Sequence, residues 1–71
     1  VEDATQKIEP FDEIELDHEP YKNTIVVFED GVPMDSAKWK YIEADNVVEF
    51  DPIPDNGVLV EVSYAVKYYI L

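Results

Sequence analysis

The final fourteen residues, 58–71, alternate between apolar and other side chains, and this pattern constrains the fold more than any other feature. Strict alternation places one set of side chains on one face of an extended chain, which is typical of a β-strand. At roughly 3.3 Å per residue the strand would span about 46 Å, whereas a compact chain of this size is only about 28 Å across. We therefore expect a long C-terminal strand that bends, bulges or leaves the domain. Its aligned apolar residues are Val58, Val60, Val62, Tyr64, Val66, Tyr68 and Ile70.

Length and composition limit the chain to one small domain. A chain of 71 residues buries only about 60% of its unfolded surface, so we expect marginal stability in isolation. It has no cysteine to form a disulfide or a thiolate metal site. The chain begins with Val, shows no secretory signal pattern, and has no apolar run near the ~20 residues of a membrane helix. We expect that the domain gains stability from partner chains or from a parent protein of which it is a piece, and that it has no membrane partner.

The charge balance is strongly acidic, with 17 Asp and Glu, five Lys and a net charge of -12. Such a surface repels phosphate, which argues against nucleic-acid binding. It favours solubility and a basic partner, and it protects exposed β-edges from aggregation. An alternative is an acidic inhibitor that mimics DNA phosphates, because many carboxylates cluster early in the chain. These residues are Glu9, Asp12, Glu13, Glu15, Asp17 and Glu19.

The segment pattern predicts an all-β fold. Residues 1–10 follow neither a helical nor a strand period and are predicted to be a flexible lead-in. Residues 11–71 are predicted to form a single β-domain. Strand patterns occur at 11–17, 24–29, 32–34, 39–44, 47–51 and 58–71. We expect a small antiparallel β-sandwich or partly open barrel of five to six strands with tight hairpins.

Three pairs of residues mark the structural turns. Asp30 and Gly31 follow a β-branched run and predict a type I′ hairpin, which needs positive φ at both central positions. Asp45 and Asn46 predict a second tight hairpin. Finally, Asn56 and Gly57 end a proline-containing turn in which Gly57 supplies positive φ.

Candidate chemical groups give no enzyme site. His18 lies between Asp17 and Glu19, but neighbours in a strand point to opposite faces and cannot converge. Asp51, Asp55 and Asn56 offer oxygen ligands without the spacing of a calcium loop, so turn chemistry explains them better.

Ser36 and Ser63 lack the flanking glycines of a nucleophile elbow. We therefore expect a protein that is not an enzyme and has no cofactor or metal. A carbohydrate-binding module is a further alternative, because aromatic side chains can stack on sugars. The aromatic residues that would form its platform are Trp39, Tyr41, Tyr64, Tyr68 and Tyr69.

The order of strands and turns carries a family resemblance. Between Glu13 and Tyr68 the chain contains Glu-Ile-Glu-Leu-Asp-His-Glu-Pro, Ile-Val-Val-Phe-Glu-Asp-Gly-Val, Trp-Lys-Tyr, Asn-Val-Val-Glu-Phe-Asp-Pro-Ile-Pro and Asp-Asn-Gly-Val-Leu-Val-Glu-Val-Ser-Tyr. This resembles a small β-domain that recurs in tailed-bacteriophage virion structural proteins, among them tail fibre, fibre-attachment and related surface proteins. The resemblance implies a non-enzymatic structural role in the virion, with contacts to copies of itself or to neighbouring virion proteins. It implies no catalytic residues.

The end of the chain is the predicted contact surface. Tyr68, Tyr69, Ile70 and Leu71 would present apolar groups on both faces of a terminal strand, and free termini need a cover for such groups. We therefore expect a homo-oligomer or an obligate part of a larger assembly. The predicted protein-interface residues are Tyr64, Val66, Tyr68, Tyr69, Ile70 and Leu71.

Overall fold

The computed structural model describes residues 2–8 and 11–67, and this part of the chain is all-β with seven strands. The strands form two antiparallel sheets, one in the order β1-β7-β3-β4 and one in the order β2-β6-β5. The sheets stay separate and do not close into a barrel, so the predicted β-sandwich is confirmed, with one strand more than expected. The strands are β1 (Glu2–Lys7), β2 (Glu13–Glu15), β3 (Val26–Glu29), β4 (Val32–Pro33), β5 (Trp39–Ile42), β6 (Val47–Phe50) and β7 (Val60–Ala65), with short 3-10 turns at Lys22–Thr24 and Ser36–Lys38.

The core lies between the two sheets. Val27 of β3 is paired with Val62 of β7, and both side chains are fully buried. From the opposite sheet, Ile14 pairs with Val48 and faces the same core. The burial of these apolar side chains is the main stabilising term for so small a domain. The core cluster contains Phe11, Ile14, Leu16, Ile25, Val27, Val48, Phe50, Val60, Val62 and Tyr64.

The first predicted hairpin is confirmed. Asp30 has φ of 51° and Gly31 has φ of 82°, which is the pair of positive values that a type I′ turn requires. Glu29 pairs with Val32 across this two-residue loop. Pro33 lies in β4, at the edge of its sheet, where a residue without an N–H costs no ladder bond.

The second hairpin turns at the predicted residues but is wider than expected. β5 ends at Ile42, which pairs with Val47, so the loop contains residues 43–46. Asn46 has φ of 55°, a conformation that Asn tolerates better than most residues. At the third turn, Gly57 has φ of 89° and the Val58 N–H donates to the Asp55 carbonyl across 3.3 Å. Asn56 and Gly57 therefore occupy a turn, as predicted.

The prediction of a flexible lead-in over residues 1–10 is wrong for Glu2–Lys7. This segment forms β1 and pairs with β7 along its whole length, from Glu2 opposite Ala65 to Lys7 opposite Val60. Strand pairing uses backbone N–H and C=O groups, which a polar segment has as fully as an apolar one. The few large side chains in this segment were therefore a poor guide to its structure. Residues 1, 9 and 10 lie outside the described part of the chain.

The C-terminal strand is shorter than the sequence pattern predicts. β7 ends at Ala65, and Val66 makes only an isolated bridge with Pro20. The Lys67 N–H donates to the Glu19 carbonyl across 2.7 Å. The chain therefore leaves the four-stranded sheet after Ala65 and pairs with the connection that follows β2, a tertiary contact that local alternation does not encode.

Candidate interaction surface

The outer face of the four-stranded sheet, called face A below, is set by the register of its strands. Val27 and Val62 point into the core, so the residues before and after them point outwards. The same register applies to β1 and β4, because Thr5 pairs with Val62 and Pro33 with Phe28. The described side chains of face A are Ala4, Gln6, Val26, Phe28, Pro33, Glu61, Ser63 and Ala65.

The described side chains of face A carry little charge for a chain with a net charge of -12. Among its described side chains Glu61 alone is ionisable, and its Oε2 accepts a hydrogen bond from Gln6 Nε2 across 2.9 Å. Val26 is 41% exposed, and the neighbouring Phe28 is half-buried. Apolar side chains thus lie in the middle of an open sheet surface, where neither core packing nor solubility requires them.

The outer face of the three-stranded sheet, called face B, has a different character. Glu13 lies directly opposite Glu49, which is destabilising for like charges unless a cation intervenes. Lys40 Nζ lies 3.8 Å from Glu49 Oε1 on the other side. Val47 is only 3% exposed here and lies outside the main core cluster. The side chains of face B are Glu13, Glu15, Lys40, Ile42, Val47 and Glu49.

The structure contradicts the predicted interface role of Tyr64 and shows where Val66 lies. Tyr64 is 1% exposed and belongs to the internal core, so the prediction that it forms an interface is wrong. Alternation places it on the buried face of β7, together with Val60 and Val62. Val66 is half-buried against the core. Tyr68, Tyr69, Ile70 and Leu71 lie outside the described residues.

Asn46 forms a polar junction that sequence reasoning identified only as a turn. Its Oδ1 accepts from the Tyr41 hydroxyl across 2.7 Å. Its Nδ2 donates to the carbonyl oxygens of Leu16 and His18, across 3.2 and 3.1 Å. The Leu16 N–H in turn donates to the Asn46 carbonyl across 3.0 Å. These bonds connect the β5–β6 loop to the end of β2, so the junction has a structural role.

The environment of Tyr41 keeps its phenol protonated. Burial, followed by the nearby carboxylates of Glu43 and Glu19, raises the pKa of the Tyr41 hydroxyl above its usual range. Both carboxylates also form ion pairs, Glu43 with Lys22 across 3.2 Å and Glu19 with Lys67 across 3.4 Å. The protonated phenol is the form that donates to Asn46.

The candidate catalytic and metal-binding groups do not converge. The backbone of His18 is engaged at both ends, by the Tyr64 hydroxyl and by Asn46 Nδ2. The Asp55 carbonyl closes the third turn. Within residues 2–8 and 11–67 no group of three or more His, Asp or Glu side chains is placed to hold a metal ion. The same residues include no helix long and apolar enough to cross a membrane.

The aromatic residues of the predicted sugar platform are also dispersed. Trp39 lines a surface groove of about 320 Å³ together with Lys38 and Lys40. Tyr41, in contrast, is hydrogen-bonded to Asn46, and Tyr64 is internal. Trp39 Nε1 is buried and has no hydrogen-bond partner among the described residues. The other aromatic residue that lines this groove, Phe50, is buried in the core, so the described residues form no stacking platform here.

No family model, curated protein or solved structure matches this chain. Its functional interpretation therefore depends on its own residues and on the geometry of its two outer faces.

Proposed function

We propose that this protein is a non-enzymatic structural domain of a phage virion, which assembles with copies of itself or with neighbouring virion proteins through face A. The observation that carries the proposal is the pair of apolar side chains on the outer side of β3, Val26, which is 41% exposed, and Phe28, which is half-buried and lies opposite Glu61 of β7. The resemblance of the strand and turn order to virion β-domains supports the setting.

The chemistry of face A is that of a contact surface. The buried centre of a protein interface is depleted of charged residues and enriched in aromatic side chains. Contiguous apolar surface on an otherwise polar protein marks a site where another molecule binds. Here 31% of all residues are charged, but the only ionisable described side chain of face A is Glu61, which is hydrogen-bonded to Gln6. Of the described side chains of face A, one carboxylate, that of Glu61, would be desolvated if the face were covered.

The experiment is to look for the protein in particles and then to alter face A. Peptide mass spectrometry of virus particles purified from the source culture should detect this chain, and immunogold labelling should place it on the particle. A phage whose gene for this chain carries Val26→Lys should incorporate less of the chain into its particles. Glu13→Gln makes the same change in charge on face B and should leave incorporation unchanged. Absence of the chain from purified particles, or equal incorporation of both variants, would contradict the proposal.

An acidic DNA mimic is the second candidate, and one observation favours it. Glu13, Glu15 and Glu49 share face B, and two of them are directly opposite each other. A mimic of this kind would compete with DNA for a basic enzyme in a salt-dependent manner. Competition that Glu13→Gln and Glu49→Gln weaken, and that Val26→Lys leaves unchanged, would favour this candidate over the virion proposal.

A further inference from the structure

We infer that Asn56 is a site of spontaneous covalent modification, at which the side-chain amide is lost as ammonia and the main chain rearranges through a succinimide ring. The inference concerns the chemistry of one turn and does not depend on the proposed function. In this reaction the backbone nitrogen of the residue after an asparagine attacks the carbonyl carbon of the asparagine side chain. Several features of the turn that contains Asn56 and Gly57 favour this attack.

The reaction needs no reagent other than water. The Gly57 nitrogen bonds to Cγ of Asn56, the C–N bond of the side-chain amide breaks, and the amide nitrogen leaves as ammonia with the proton that the Gly57 nitrogen gives up. One water molecule then opens the succinimide ring, its OH bonding to either carbonyl carbon and its proton returning to the nitrogen. The products are aspartate and isoaspartate, and the new carboxyl group ionises. No oxidant or reductant takes part.

The turn leaves both reacting groups accessible. The Val58 N–H donates to the Asp55 carbonyl across 3.3 Å, so Asn56 and Gly57 are the central residues of a β-turn. Both are exposed. Within the described part of the chain, neither the Asn56 side-chain amide nor the Gly57 N–H makes a hydrogen bond. The attack therefore breaks no hydrogen bond among these residues.

Gly57 gives the reaction room. The residue has φ of 89°, and a β-carbon placed on it would meet no described atom within 4 Å beyond its two chain neighbours. Glycine has no side chain to block the approach of its nitrogen, and its backbone changes conformation more freely than that of other residues. Ring closure requires such a change, because the nitrogen has to approach Cγ of the preceding residue. The ring can thus form without displacing a packed neighbour.

The other two asparagines of the chain are protected. Asn23 precedes Thr24, whose N–H donates to a backbone carbonyl across 2.9 Å. Asn46 precedes Val47, which is 3% exposed, and its own side chain is hydrogen-bonded through both Oδ1 and Nδ2. Thr and Val are also β-branched, which crowds the backbone nitrogen that would attack. We therefore expect modification at Asn56 well ahead of the other two.

Asp30 and Gly31 provide an internal comparison, because an Asp-Gly pair forms the same ring with loss of water. Asp30 Oδ1 accepts from the Leu59 N–H across 3.0 Å, and the Asp30 N–H donates to the Leu59 carbonyl across 2.8 Å. These bonds hold the carboxylate and the backbone in place, and an ionised carboxylate is a weaker electrophile than an amide. The Asp30-Gly31 turn should therefore stay intact while Asn56 reacts.

The neighbours of the turn limit the effect of the product on the fold. Isoaspartate at residue 56 adds one carbon atom to the main chain and one negative charge to a chain with a net charge of -12. On one side of the turn Pro54 is buried. On the other side Leu59 is hydrogen-bonded to Asp30 through both its N–H and its carbonyl. We expect the structural change to stay within residues 55–58 and β7 to remain paired.

Incubation of the full chain for several weeks at mildly alkaline pH and body temperature tests the inference. Ion-exchange chromatography should resolve a more acidic form, and peptide mass spectrometry with electron-transfer fragmentation should locate isoaspartate at residue 56. The rate there should exceed the rates at Asn23 and Asn46 at least about tenfold. Concentrated urea removes any protection by the fold and should raise the rate at Asn56 less than about tenfold. An intact Asn56, faster modification at another residue, or a larger effect of urea would overturn the inference.

Two variants confirm the origin of the acidic form. Asn56→Gln should abolish it, because the longer side chain has to close a six-membered ring, which is much slower. Asn23→Gln is the matched control and should leave the acidic form unchanged. Circular dichroism checks that both variants fold. An acidic form that persists in Asn56→Gln would overturn the inference, and amide chemical shifts of the isoaspartate form that change throughout β7 would contradict the confinement of its effect to the turn.

Discussion

The hydroxyl oxygen of Tyr64 accepts a hydrogen bond from the backbone N–H of His18 across 3.2 Å. Tyr64 belongs to β7 in the four-stranded sheet, and His18 follows β2 in the three-stranded sheet. The bond therefore ties the two layers together at one end of the sandwich. Asn46, in the loop between β5 and β6 of the three-stranded sheet, donates to the carbonyl oxygen of the same His18. The connection after β2 is thus fixed by side chains from both sheets.

Removing the Tyr64 hydroxyl should lower stability without changing association. Tyr64→Phe keeps the buried ring and loses the partly buried hydrogen bond from the His18 N–H, so we expect a loss of about 1 to 2 kcal/mol in the free energy of unfolding. Tyr64→Ala also leaves a cavity and should cost about 3 to 5 kcal/mol. Urea denaturation measures both values. A Tyr64→Phe variant with unchanged stability but altered self-association would instead make Tyr64 an interface residue.

Two substitutions of Asn46 separate the contribution of its side-chain hydrogen bonds from that of its positive φ. Asn46→Gly keeps the positive φ and loses the three side-chain hydrogen bonds, which should cost about 2 to 3 kcal/mol. Asn46→Ala loses the same bonds and adds the strain of a left-handed residue, about 1 kcal/mol more. Thermal or urea unfolding of both variants gives the difference. Equal stability of the two variants would show that the backbone at residue 46 is not held at positive φ.

Local signals explain the parts of the fold that the sequence predicted. The Asp30-Gly31 pair alone predicts the positive φ values of its hairpin turn. The alternation of Val60, Val62 and Tyr64 likewise predicts the buried face of β7 without any tertiary information. Such patterns depend on neighbours within a few residues. The same pattern does not tell whether a buried position belongs to a domain core or to an interface, and this is why Tyr64 was misassigned.

Features that depend on distant residues were missed. β1 owes its structure to backbone pairing with β7, which is more than fifty residues away in sequence, and the Asn46 bonds reach back to Leu16 and His18. The difference in charge between face A and face B also depends on how distant strands pair. Alternation shows that Val26 and Phe28 share one side of a strand, but only the register shows that Ser63 lies opposite Val26 and Glu61 opposite Phe28.

Alkaline pH should test the bond between Tyr41 and Asn46. The raised pKa of Tyr41 in the folded protein means that the folded state favours the protonated phenol. Its contribution to stability should be fully present below the unfolded pKa of about 10 and should be lost as the pH rises through the folded value. Tyr41→Phe cannot titrate and should lack this loss. The measurement is the free energy of unfolding of both proteins between neutral and strongly alkaline pH.

Other groups titrate in the same range, so the difference between the two proteins is the relevant quantity. Tyr21→Phe removes an exposed phenol and leaves the bond between Tyr41 and Asn46 in place, so it serves as the control for a tyrosine-to-phenylalanine change. A stability difference between the unmodified chain and Tyr41→Phe that stays constant across the range would contradict the role given to the Tyr41 phenol.

Thr5 provides the sharpest test of β1, because two substitutions there should act in opposite directions. The residue pairs with Val62 on the inner face of the sheet, and its Oγ1 is buried without a hydrogen-bond partner among the described residues. Thr5→Val keeps the branched shape and removes the unsatisfied hydroxyl, so it should raise the free energy of unfolding by about 1 kcal/mol. Thr5→Pro removes a backbone N–H from the strand and should lower it by about 2 kcal/mol or more.

A flexible lead-in would give neither effect, because substitutions in a segment that makes no contacts change both the folded and the unfolded chain equally. Ile8→Ala is the matched control, since Ile8 follows the strand and is 54% exposed, and it should change stability by no more than about 0.5 kcal/mol. Deletion of residues 1–8 should cost more than Thr5→Pro, because it exposes the whole edge of β7 and the buried Val62 beside it. Urea denaturation midpoints that are the same for the unmodified chain, both Thr5 variants and the deletion would show that β1 adds nothing to the stability of the domain.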